Sequence, residues 1–551
     1  MVERSSTQPA RTKVMPEGPS MCKQTRDEAA ATGFARSRRR ELRRVASLVA
    51  ALLLTLTTFV TSQSADYGGY RPHYQGYGVN TPGGRGGGVC RVTSLDDPAP
   101  IAMGTLRYCV EYLSGPRFVV FEISGTINLT QGPLFIRNPF ITIAGQTAPS
   151  PGILIRGPGV IIDTTDVVMQ HVRVRVGNLN NEPVAVWIRN DANNVVLDHA
   201  SVSWSIWTAV LVGAGEAGHP PGEIAILDSI VAESLGCSFV NRAVPCDPAD
   251  YPARGYSNSR AIGIGDAWHN STPKVTMLRN ISANNNDRHP EIGGSTQTIL
   301  VNNLIYNPSQ TPLSAIYYQD GHQAGPLLSV AKGNLLIPGP TTPGYGGYVP
   351  FEYKEEGPVS LVRLLPNLHP SSRIYLEDNY YEANCENNAC LTSTEAQWML
   401  AKDYMADWNG ISVRASAPPL ALANLPLTSA LPVGLVEAYV KANAGARPLD
   451  RDVVDARIIN DITTRTGFVP NNPSEVAGEG TTDDGFPMLN VNWRPLAIPP
   501  NPNAVIDGVG RTLLEMQVGH RQQPSCRPVQ GACRQCLQLL AGAVELERHH
   551  G

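Results

Sequence analysis

Basic residues are scarce in this chain of 551 residues, and so are charged residues in general. Lys and Arg together number 44, and charged residues make up 17% of the sequence. A protein that binds nucleic acid usually carries a strongly basic domain or stripe, so this composition disfavours such a partner. The hydrophobic fraction of 42% and the mean hydropathy of −0.15 argue against wholesale disorder and against a polytopic membrane protein.

Two familiar ligand-binding motifs are incomplete. Residues 83–88 (GGRGGG) are rich in glycine, but they lack the Lys-Ser/Thr ending or the GxGxxG spacing of a nucleotide-binding loop. They therefore predict a turn-rich entry segment. Cys533 and Cys536 have CxxC spacing, but without a second CxxC or His ligands a local disulfide is favoured over a zinc site.

A basic stretch followed by an apolar run near the amino terminus is typical of a secretory leader. Six arginines within residues 36–44 precede a largely apolar run at 45–60, and small residues follow at Ser62, Ser64 and Ala65. We expect residues 1–64 to be a basic leader with a signal peptide, although a run of about sixteen residues also fits a short signal anchor. Residues 1–64 carry 11 Lys/Arg and 5 Asp/Glu, which leaves 33 basic against 43 acidic residues in an acidic body. We expect a secreted, extracellular monomer with no stable membrane association once the signal is cleaved.

The ten cysteines are disulfide candidates, because an exported chain meets an oxidising compartment. Pairing of nearest neighbours predicts three disulfides, namely Cys90 with Cys109, Cys237 with Cys246, and Cys385 with Cys390. Glycosylation sequons fit the same compartment, and they occur at Asn128, Asn270 and Asn280. We expect at least one of them to lie unused.

The middle of the chain, from about residue 117 to 385, repeats one short pattern. Two apolar residues precede a polar pair in most of its copies, at 168–171 (VMQH), 196–199 (VLDH), 226–229 (ILDS), 277–280 (MLRN), 300–303 (LVNN), 331–334 (AKGN) and 376–379 (LEDN). The spacing is 23 to 31 residues wherever no Pro/Gly/Asn-rich insert intervenes. Repeats of this length predict a solenoid.

A parallel β-helix accounts for the pattern, because each coil gives short strands to parallel sheets and inward Asn or Asp side chains stack from coil to coil. The alternative is a β-sandwich with ordinary Asn-containing turns, whose strands usually recur every 8 to 12 residues. Residues 104–112 have apolar positions at helical spacing and predict a helix that closes the amino-terminal end of the solenoid. Three further helices are predicted at 395–408, 435–442 and 450–466.

These patterns divide the chain into four parts. They are the leader at 1–64, an all-β solenoid at 65–394, a helical segment at 395–480 that packs on the solenoid, and a cysteine-containing tail at 481–551 for which the sequence predicts no defined structure.

Several sequence blocks agree in order with those of one enzyme family. The blocks are 76–78 (GYG), 81–87 (TPGGRGG), 104–107 (GTLR), 119–127 (VVFEISGTI), 143–149 (IAGQTAP), 196–199 (VLDH), 201–204 (SVSW), 287–290 (DRHP), 444–446 (AGA), 451–452 (RD) and 454–458 (VDARI). Over roughly residues 76–480 the chain resembles pectate lyases and their relatives in polysaccharide lyase family 1. The resemblance implies a right-handed parallel β-helix with a carboxy-terminal wrap.

The resemblance also implies a carbon-oxygen lyase that cleaves pectate, or polygalacturonate, by β-elimination. A base removes the C5 proton beside the uronate carboxylate while O4 leaves. Arg288, which matches the arginine of the family's Arg-x-Pro element, would be that base. Substrate contacts are predicted for five further residues, Arg173, Arg175, His289, Trp204 and Trp207.

The family's calcium site is not preserved in this sequence. A calcium-binding carboxylate commonly precedes the Asp of the Asp-His motif by fourteen residues, and here that position is Val184. The acidic pair that often follows the Ser-Trp element is also absent, since 205–208 reads SIWT. Asp198, Asp228 and Glu233 are therefore only weak candidates for Ca²⁺, and Ca²⁺ itself is a doubtful cofactor.

Three interpretations remain open. A rearranged set of carboxylates that includes Glu233 would still hold Ca²⁺; or Arg288 would act without metal on a less charged, esterified pectin; or the solenoid is catalytically degenerate and binds extracellular carbohydrate. Asp198 and His199 are expected to be structural. A glycoside hydrolase would need two carboxylates across the scissile bond, and the sequence identifies no convincing pair.

Overall fold

A computed structural model describes the central part of the chain. It covers residues 76–178, 184–216, 218–236, 259–265, 272–309, 312–315, 325–343, 361–364, 368–403, 413–419 and 430–496. The chain divides into two units after Asp66, and every described residue belongs to the second unit. The leader at 1–64 and the tail beyond residue 496 lie outside the described residues.

Three parallel sheets, numbered I to III, dominate the fold. Sheet I consists of β1 (Gly88–Val92), β2 (Arg117–Phe121), β5 (Ile141–Ala144), β8 (Val167–Gln170), β11 (Val195–Asp198), β14 (Glu223–Leu227), β17 (Lys274–Leu278), β20 (Gln297–Val301), β23 (Leu328–Lys332) and β26 (Arg373–Glu377). Sheet II consists of β3 (Gly125–Asn128), β6 (Ile153–Arg156), β9 (Arg173–Arg175), β12 (Ser201–Ser203), β15 (Ile230–Ala232), β18 (Ile281–Ala283), β21 (Leu304–Tyr306), β24 (Leu335–Ile337) and β27 (Tyr380–Tyr381). Sheet III consists of β4 (Leu134–Ile136), β7 (Val160–Ile162), β10 (Val184–Ile188), β13 (Thr208–Val212), β16 (Arg260–Ile264), β19 (Glu291–Ile292), β22 (Leu313–Ala315), β25 (Val362–Leu364) and β28 (Ala401–Asp403).

From β2 onward the chain visits sheets I, II and III in turn and then starts the next coil. Each strand pairs in parallel with the strand three positions later, as β2 does with β5 and β5 with β8. The fold is therefore a right-handed parallel β-helix, with the handedness that parallel crossovers favour. The predicted all-β solenoid is confirmed.

Side chains alternate between the interior and the outer face along each strand. In β14, Ile224 and Ile226 belong to the interior core, whereas Ala225 and Leu227 belong to a cluster on the outer face of sheet I. Ala225 and Leu227 are nonetheless fully buried. The outer face of this sheet is therefore covered by another part of the chain.

A ladder of asparagine side chains runs inside the corner between sheets I and II. The Nδ2 groups of Asn280, Asn303 and Asn334 each donate to the Oδ1 of the next asparagine at 2.9 Å. Asn379 ends the ladder by donating to Gln397 Oε1 at 3.0 Å. Stacking of the repeated polar position is thus confirmed, because every buried amide finds its partner one coil away.

The ladder also contains one of the three glycosylation sequons. The Asn280 side chain is 1% exposed and donates within the ladder, so this sequon is unavailable to a glycan. Asn128 is exposed at the end of β3. Asn270 lies outside the described residues.

Two of the predicted disulfides are present in the described residues. Cys90 is bonded to Cys109, and Cys385 is bonded to Cys390. The pairing of Cys237 with Cys246 and the cysteines at 533 and 536 fall outside the described residues. The first disulfide joins β1 to the predicted capping helix, which is a five-residue π-helix at Tyr108–Tyr112.

The amino-terminal segment 76–87 crosses the outer face of sheet I. The Tyr77 backbone N–H donates to Thr276 Oγ1 at 2.8 Å. Farther along, a Cβ on Gly84 would lie 2.0 Å from the Arg117 carbonyl oxygen, and one on Gly87 would lie 1.7 Å from the Pro116 carbonyl oxygen. The glycine-rich stretch therefore lets two backbones approach closely, and the predicted entry segment matches this arrangement.

The carboxy-terminal region covers the outer face of sheet II. It contains helices α1 (Val436–Asn443) and α2 (Val453–Thr464), close to the predicted 435–442 and 450–466. Apolar residues of both helices, among them Val440 and Ile458, form one buried cluster with Ile230, Ile281 and Leu304. Short 3₁₀ helices occupy Gly145–Thr147, Glu382–Asn384, Glu386–Leu391, Ala396–Leu400, Val433–Leu435 and Pro473–Val476.

The helix predicted at 395–408 is wrong. In the described part of this range, residues 395–403, Ala396–Leu400 forms a short 3₁₀ helix, and β28 follows at once, in register with β25. Residues 404–408 lie outside the described residues. Local helical spacing yields here to parallel pairing with the preceding coil, so the solenoid extends beyond the predicted boundary at 394.

Residues beyond α2 return to the amino-terminal end of the solenoid. Trp493 pairs with Ile123 in an antiparallel bridge, and the Leu496 backbone N–H donates to Glu122 Oε1 at 2.8 Å. Part of the predicted tail, up to residue 496, is therefore ordered against the first coil. None of the described helices combines the length and hydrophobicity needed to cross a bilayer.

Segment 76–87 covers the outer face of sheet I, and the carboxy-terminal region covers the outer face of sheet II. Within the described residues, neither of these two segments covers sheet III.

Candidate functional site

The first residues of the strands in sheet III form a row across adjacent coils. Val184, Thr208 and Arg260 are register partners, and Arg260 is bridged in turn to Asp287. Val184 is 4% exposed and Thr208 is fully buried, and the Thr208 hydroxyl has no hydrogen-bond partner among the described residues. The row therefore begins with uncharged residues and ends with a guanidinium and a carboxylate.

Arg288 follows Asp287 at the entrance to β19. Its backbone adopts the left-handed region with φ of 64°. Its carbonyl oxygen accepts a 2.8 Å hydrogen bond from the Ile262 N–H, and its own N–H donates to Asp287 Oδ1 at 2.9 Å. These bonds fix Arg288 next to β16, one coil away from Arg260.

The Arg288 guanidinium is held by acidic neighbours. Its Nε lies 2.8 Å from Glu291 Oε2 and 4.0 Å from Asp287 Oδ2. The Nε is buried and its N–H is not directed at an acceptor, so the contact with Glu291 is an ion pair without a hydrogen bond. The side chains of Arg288 and Glu291 are 20% and 17% exposed, so part of this pair faces solvent.

Burial and like charges shift two pKa values in this cluster. Burial raises the pKa of Glu291 to about 7, against the opposing effect of the Arg288 charge, while Asp287 adds to the rise. Burial, reinforced by the neighbouring charge of Arg288, lowers the pKa of Arg260 to about 10. Each group is therefore easier to convert to its neutral form than the same group in water.

An aromatic ring borders the cluster. The Arg260 guanidinium carbon lies 5.3 Å from the centroid of the half-buried Trp207 ring, within the range of a cation–π contact. Trp207 directly precedes β13, so the ring and the two arginines are placed by neighbouring coils of sheet III. Among the residues predicted to contact substrate, Trp207 is the one whose ring borders Arg260, and the charge of Arg260 in turn interacts with that of Arg288.

The donors at this place do not fit Ca²⁺. Calcium takes six to eight oxygen ligands, usually with several carboxylates. The row offers Val184 and Thr208 where a carboxylate would be needed, and the nearby carboxylates of Asp287 and Glu291 face Arg288. The two guanidinium groups balance the two carboxylates, so the cluster has no surplus negative charge to attract a dication.

The substrate contacts predicted for Arg173 and Arg175 require correction. Both side chains are fully buried in sheet II beneath α2. Arg173 Nε lies 2.9 Å from Asp452 Oδ2, and Arg175 reaches Asp452 Oδ2 at 2.6 Å and Asp455 Oδ1 at 2.8 Å. Side chains without exposure cannot touch a bound polymer, so this pair fastens the carboxy-terminal region to the solenoid.

Two further predicted substrate contacts are also buried. Trp204 is fully buried, and its Nε1 donates to Glu233 Oε2 at 3.0 Å. His289 is 2% exposed, its Nδ1 lies 2.7 Å from Ser282 Oγ, and burial lowers its pKa to about 3. Both side chains pack inside the protein, and neither can reach a ligand on its surface.

The three weak calcium candidates lie apart from Arg288. Glu233 is fully buried and forms two charged contacts with Arg457, at 2.6 and 2.8 Å. Asp228 pairs with Arg279 through contacts of 2.8 and 2.7 Å. Asp198 is fully buried and lies 2.7 Å from His199 Nδ1 at the corner between sheets I and II. Among the described residues, Glu233 and Asp228 are thus each paired with an arginine.

Sequence reasoning missed Arg260 and Glu291. Glu291 follows Arg288 by three residues, a spacing that allows an ion pair and could have been noticed. Arg260 was hidden because the insert before it separates two copies of the repeat by 51 residues, which obscures the position of β16.

Comparison with known proteins identifies fungal relatives of similar length. "Probable pectate lyase C" of Emericella nidulans is 26% identical over 418 residues, which cover 75% of this chain and 81% of that protein. The protein of the same name from Aspergillus fumigatus is 25% identical over 451 residues, which cover 81% of this chain and 89% of that protein. Among solved structures, jun a 1, the major allergen from cedar pollen, matches with 15% identity and a TM-score of 0.43 over 68% of this chain and 92% of the allergen. No protein-family model matches the chain.

Proposed function

We propose that the chain is a pectate lyase-like polysaccharide lyase, built on a parallel β-helix, and that it cleaves a polyuronate by β-elimination at Arg288. The observation that carries this proposal is the pairing of Arg260 and Arg288 at the partly exposed strand entrances of sheet III, beside Trp207. Because this is a place where an anionic sugar acid can meet two guanidinium groups, it suits an acidic polysaccharide.

The two arginines have different roles in this proposal. Arg260 binds the uronate carboxylate and offsets the negative charge that builds as C5 loses its proton. Arg288 in its neutral form accepts that proton, the C5 electron pair forms a double bond to C4, and the C4–O4 bond breaks. The departing O4 then takes a proton, and the new chain end is an unsaturated uronide. Since an ordinary arginine has a pKa above about 12, neutralising the substrate carboxylate is essential to acidify the C5 proton.

We propose that this reaction does not depend on Ca²⁺. The guanidinium of Arg260 occupies the row of strand entrances in which Val184 and Thr208 replace acidic residues. A fixed cation of this kind can supply charge neutralisation that would otherwise come from a bound dication. The proposal also includes an extracellular location, which the basic and apolar leader and the two disulfides support.

Ultraviolet absorbance of the product tests the reaction, because elimination creates a conjugated double bond and hydrolysis does not. Purified protein should raise the absorbance of polygalacturonate solutions with or without a chelator. Replacement of Arg288 by Ala should remove the signal, whereas Arg137→Ala should not. Arg137 is a matched control, because it also borders sheet III, is 58% exposed and stacks on Phe135. Absorbance that disappears with chelator and returns with Ca²⁺ alone would refute the metal-independent mechanism.

A second candidate function is carbohydrate binding without catalysis. The ion pair between Arg288 and Glu291 favours it, because an ionised carboxylate at 2.8 Å stabilises the cationic guanidinium. A protein that binds polygalacturonate through Arg260 and Arg288, but produces no unsaturated uronide from pectate or methylated pectin, would establish this alternative.

A further inference from the structure

The sequon at Asn128 is presented at the surface by the first coil of the solenoid. Ile127 and Leu129 belong to the interior core and are 1% and 8% exposed, so alternation along β3 directs the Asn128 side chain outward. The Leu129 N–H donates to the Arg156 carbonyl oxygen at 2.8 Å, which fixes the end of this strand against β6. The acceptor amide of the sequon is therefore on the outside of the coil.

Asn128 and Asn280 differ in what their side-chain amides do. The Asn280 Nδ2 donates to the Ile226 carbonyl oxygen at 2.8 Å and to Asn303 Oδ1 at 2.9 Å. A sugar on that nitrogen would replace one of these N–H groups inside the solenoid. Within the described residues, the exposed Asn128 amide forms no hydrogen bond. A sugar on Asn128 would therefore break no hydrogen bond of the described fold.

We propose that Asn128 carries an N-linked glycan, an inference that rests on the extracellular location proposed above and not on the lyase reaction. Residues 128–130 (NLT) match the acceptor sequon. The donor is a lipid-linked oligosaccharide diphosphate of the secretory compartment. The Asn128 Nδ2 forms a bond to the anomeric carbon C1 of the first sugar and gives up one proton, while the bond from C1 to the diphosphate oxygen breaks and the lipid diphosphate leaves.

The surroundings of Asn128 give this glycan a role. β3 is the last strand of sheet II, and β6 is its one strand partner in the described part of the chain. A strand edge of this kind is a template for association with a second chain. Asn128 is the register partner of Arg156, whose guanidinium carbon lies 3.7 Å from the centroid of the Phe486 ring. The return segment, residues 484–493, therefore passes beside β3.

The return segment exposes apolar side chains next to that edge. Met488, Val491 and Trp493 are 60%, 63% and 63% exposed. A Cβ on Gly125, at the start of β3, would lie 3.4 Å from Val491 Cγ2. Exposed apolar surface promotes association unless something covers it. A bulky, hydrophilic glycan would cover both the strand edge and the apolar side chains, and so keep the protein monomeric.

Site-resolved mass spectrometry of the full chain, secreted by a eukaryotic host, tests the modification. Peptide-N-glycosidase F removes an N-linked glycan and leaves aspartate, so it should convert Asn128 to Asp and leave Asn280 unchanged. Asn128→Gln should lose the glycan, whereas Thr130→Ser should retain it because serine preserves the sequon. Ser282→Ala is the matched control, because it removes the sequon of Asn280 and retains the ladder amide, and it should leave the Asn128 glycan in place.

Each failure has its own reading. Secreted protein with unmodified Asn128 would overturn the proposal, and so would a glycan on Asn280 in its place. Absence of the protein from the medium would overturn the extracellular location, and this proposal with it. Product absorbance from the same preparation reports on the lyase reaction separately.

Sedimentation velocity tests the shielding role. The glycosylated protein should be monomeric, whereas protein deglycosylated after folding should shift to dimers or larger species as its concentration rises. Trp493→Ser should restore the monomer after deglycosylation. Tyr112→Ser is the control and should not restore it, because Tyr112 is 67% exposed but lies on the π-helix whose Glu111 accepts from the backbone of β4. Deglycosylated protein that stays monomeric at the same concentrations would overturn the shielding role.

Discussion

Two pairs of arginines differ in burial in this protein. Arg173 and Arg175 lie on sheet II, are fully buried and face the carboxylates that begin α2. Arg260 and Arg288 lie at the entrances to sheet III and remain partly exposed. The difference lies in what crosses each sheet: the first pair is sealed by another segment, whereas the described residues place no such segment over the second.

Charge compensation distinguishes the two pairs as well. Burial alone would lower the pKa of Arg175, but Asp452 and Asp455 outweigh that effect and the pKa is raised. Burial lowers the pKa of Arg260, and the charge of Arg288 reinforces the shift. The buried pair, which faces Asp452 and Asp455, stabilises the fold. The second pair also has carboxylate neighbours, Asp287 and Glu291, but its partial exposure leaves it within reach of an anionic ligand.

The largest expected effect, and the clearest difference between the two arginine pairs, comes from Arg288→Ala, which should reduce activity and leave stability almost unchanged. Loss of a general base should lower kcat by about 10²–10⁴-fold. Its partly exposed ion pair is worth only ~0–1 kcal/mol, so the melting temperature should hardly change. Product absorbance and thermal unfolding of the same preparation measure both effects. A fully active, folded Arg288→Ala protein would remove Arg288 from the mechanism.

The complementary change is Arg175→Met in the buried pair, Arg173 and Arg175. It leaves the buried Asp452 and Asp455 facing Arg173 alone, and loss of one partner from a buried ionic group costs ~3–5 kcal/mol. Urea unfolding should show this loss in the free energy of unfolding, while Arg137→Met should show almost none. Unchanged stability together with a raised KM would mean instead that Arg175 binds substrate, as first predicted.

The corner between sheets I and II could be predicted from the sequence. The same polar position recurs in each coil, so its side chains must stack on one another. Asn303 and Asn334 therefore stack as expected. The role of Arg175 was not readable, because it depends on Asp452, which lies 277 residues later in the chain. A sequence pattern shows that two arginines share a strand face, but it does not show which distant segment will cover that face.

The candidate site was predictable only in part, for a similar reason. Arg288 was found through a motif of adjacent residues, and the loss of acidic residues at Val184 was found by counting along one coil. Arg260 and Thr208 join that row only through pairing between strands on either side of a long insert. Register across an insert is fixed by the pairing of the folded coils, and the insert sequence does not encode it.

Within the exposed pair, Arg260→Met should separate substrate binding from proton removal. A charged hydrogen-bond contact is worth ~1.5–3 kcal/mol, equivalent to roughly 10- to 150-fold in binding. We expect KM for polygalacturonate to rise by about this factor and KM for methylated pectin to rise less, because esterification removes the carboxylate charge. Steady-state kinetics on the two polymers test this expectation. Equal rises on both would show that Arg260 acts on the shape of the site and not on the uronate charge.

The smallest expected effect concerns Glu291, whose pKa burial raises to about 7 from an ordinary value of 4.5. Because the folded pKa is raised, Glu291 contributes stability below pH 4.5 that is lost as the pH rises through about 7. The carboxylate formed over the same range pairs with Arg288 and repels the anionic polymer, so KM for polygalacturonate should rise about 1.4- to fivefold, the effect of ~0.2–1 kcal/mol. Glu291→Gln cannot ionise and should show no such step, whereas the exposed Asp191→Asn should keep it. If the rise in KM persists in Glu291→Gln, it belongs to another titrating group. Arg288 would then have no titrating partner and would resemble the buried arginine pair in that respect.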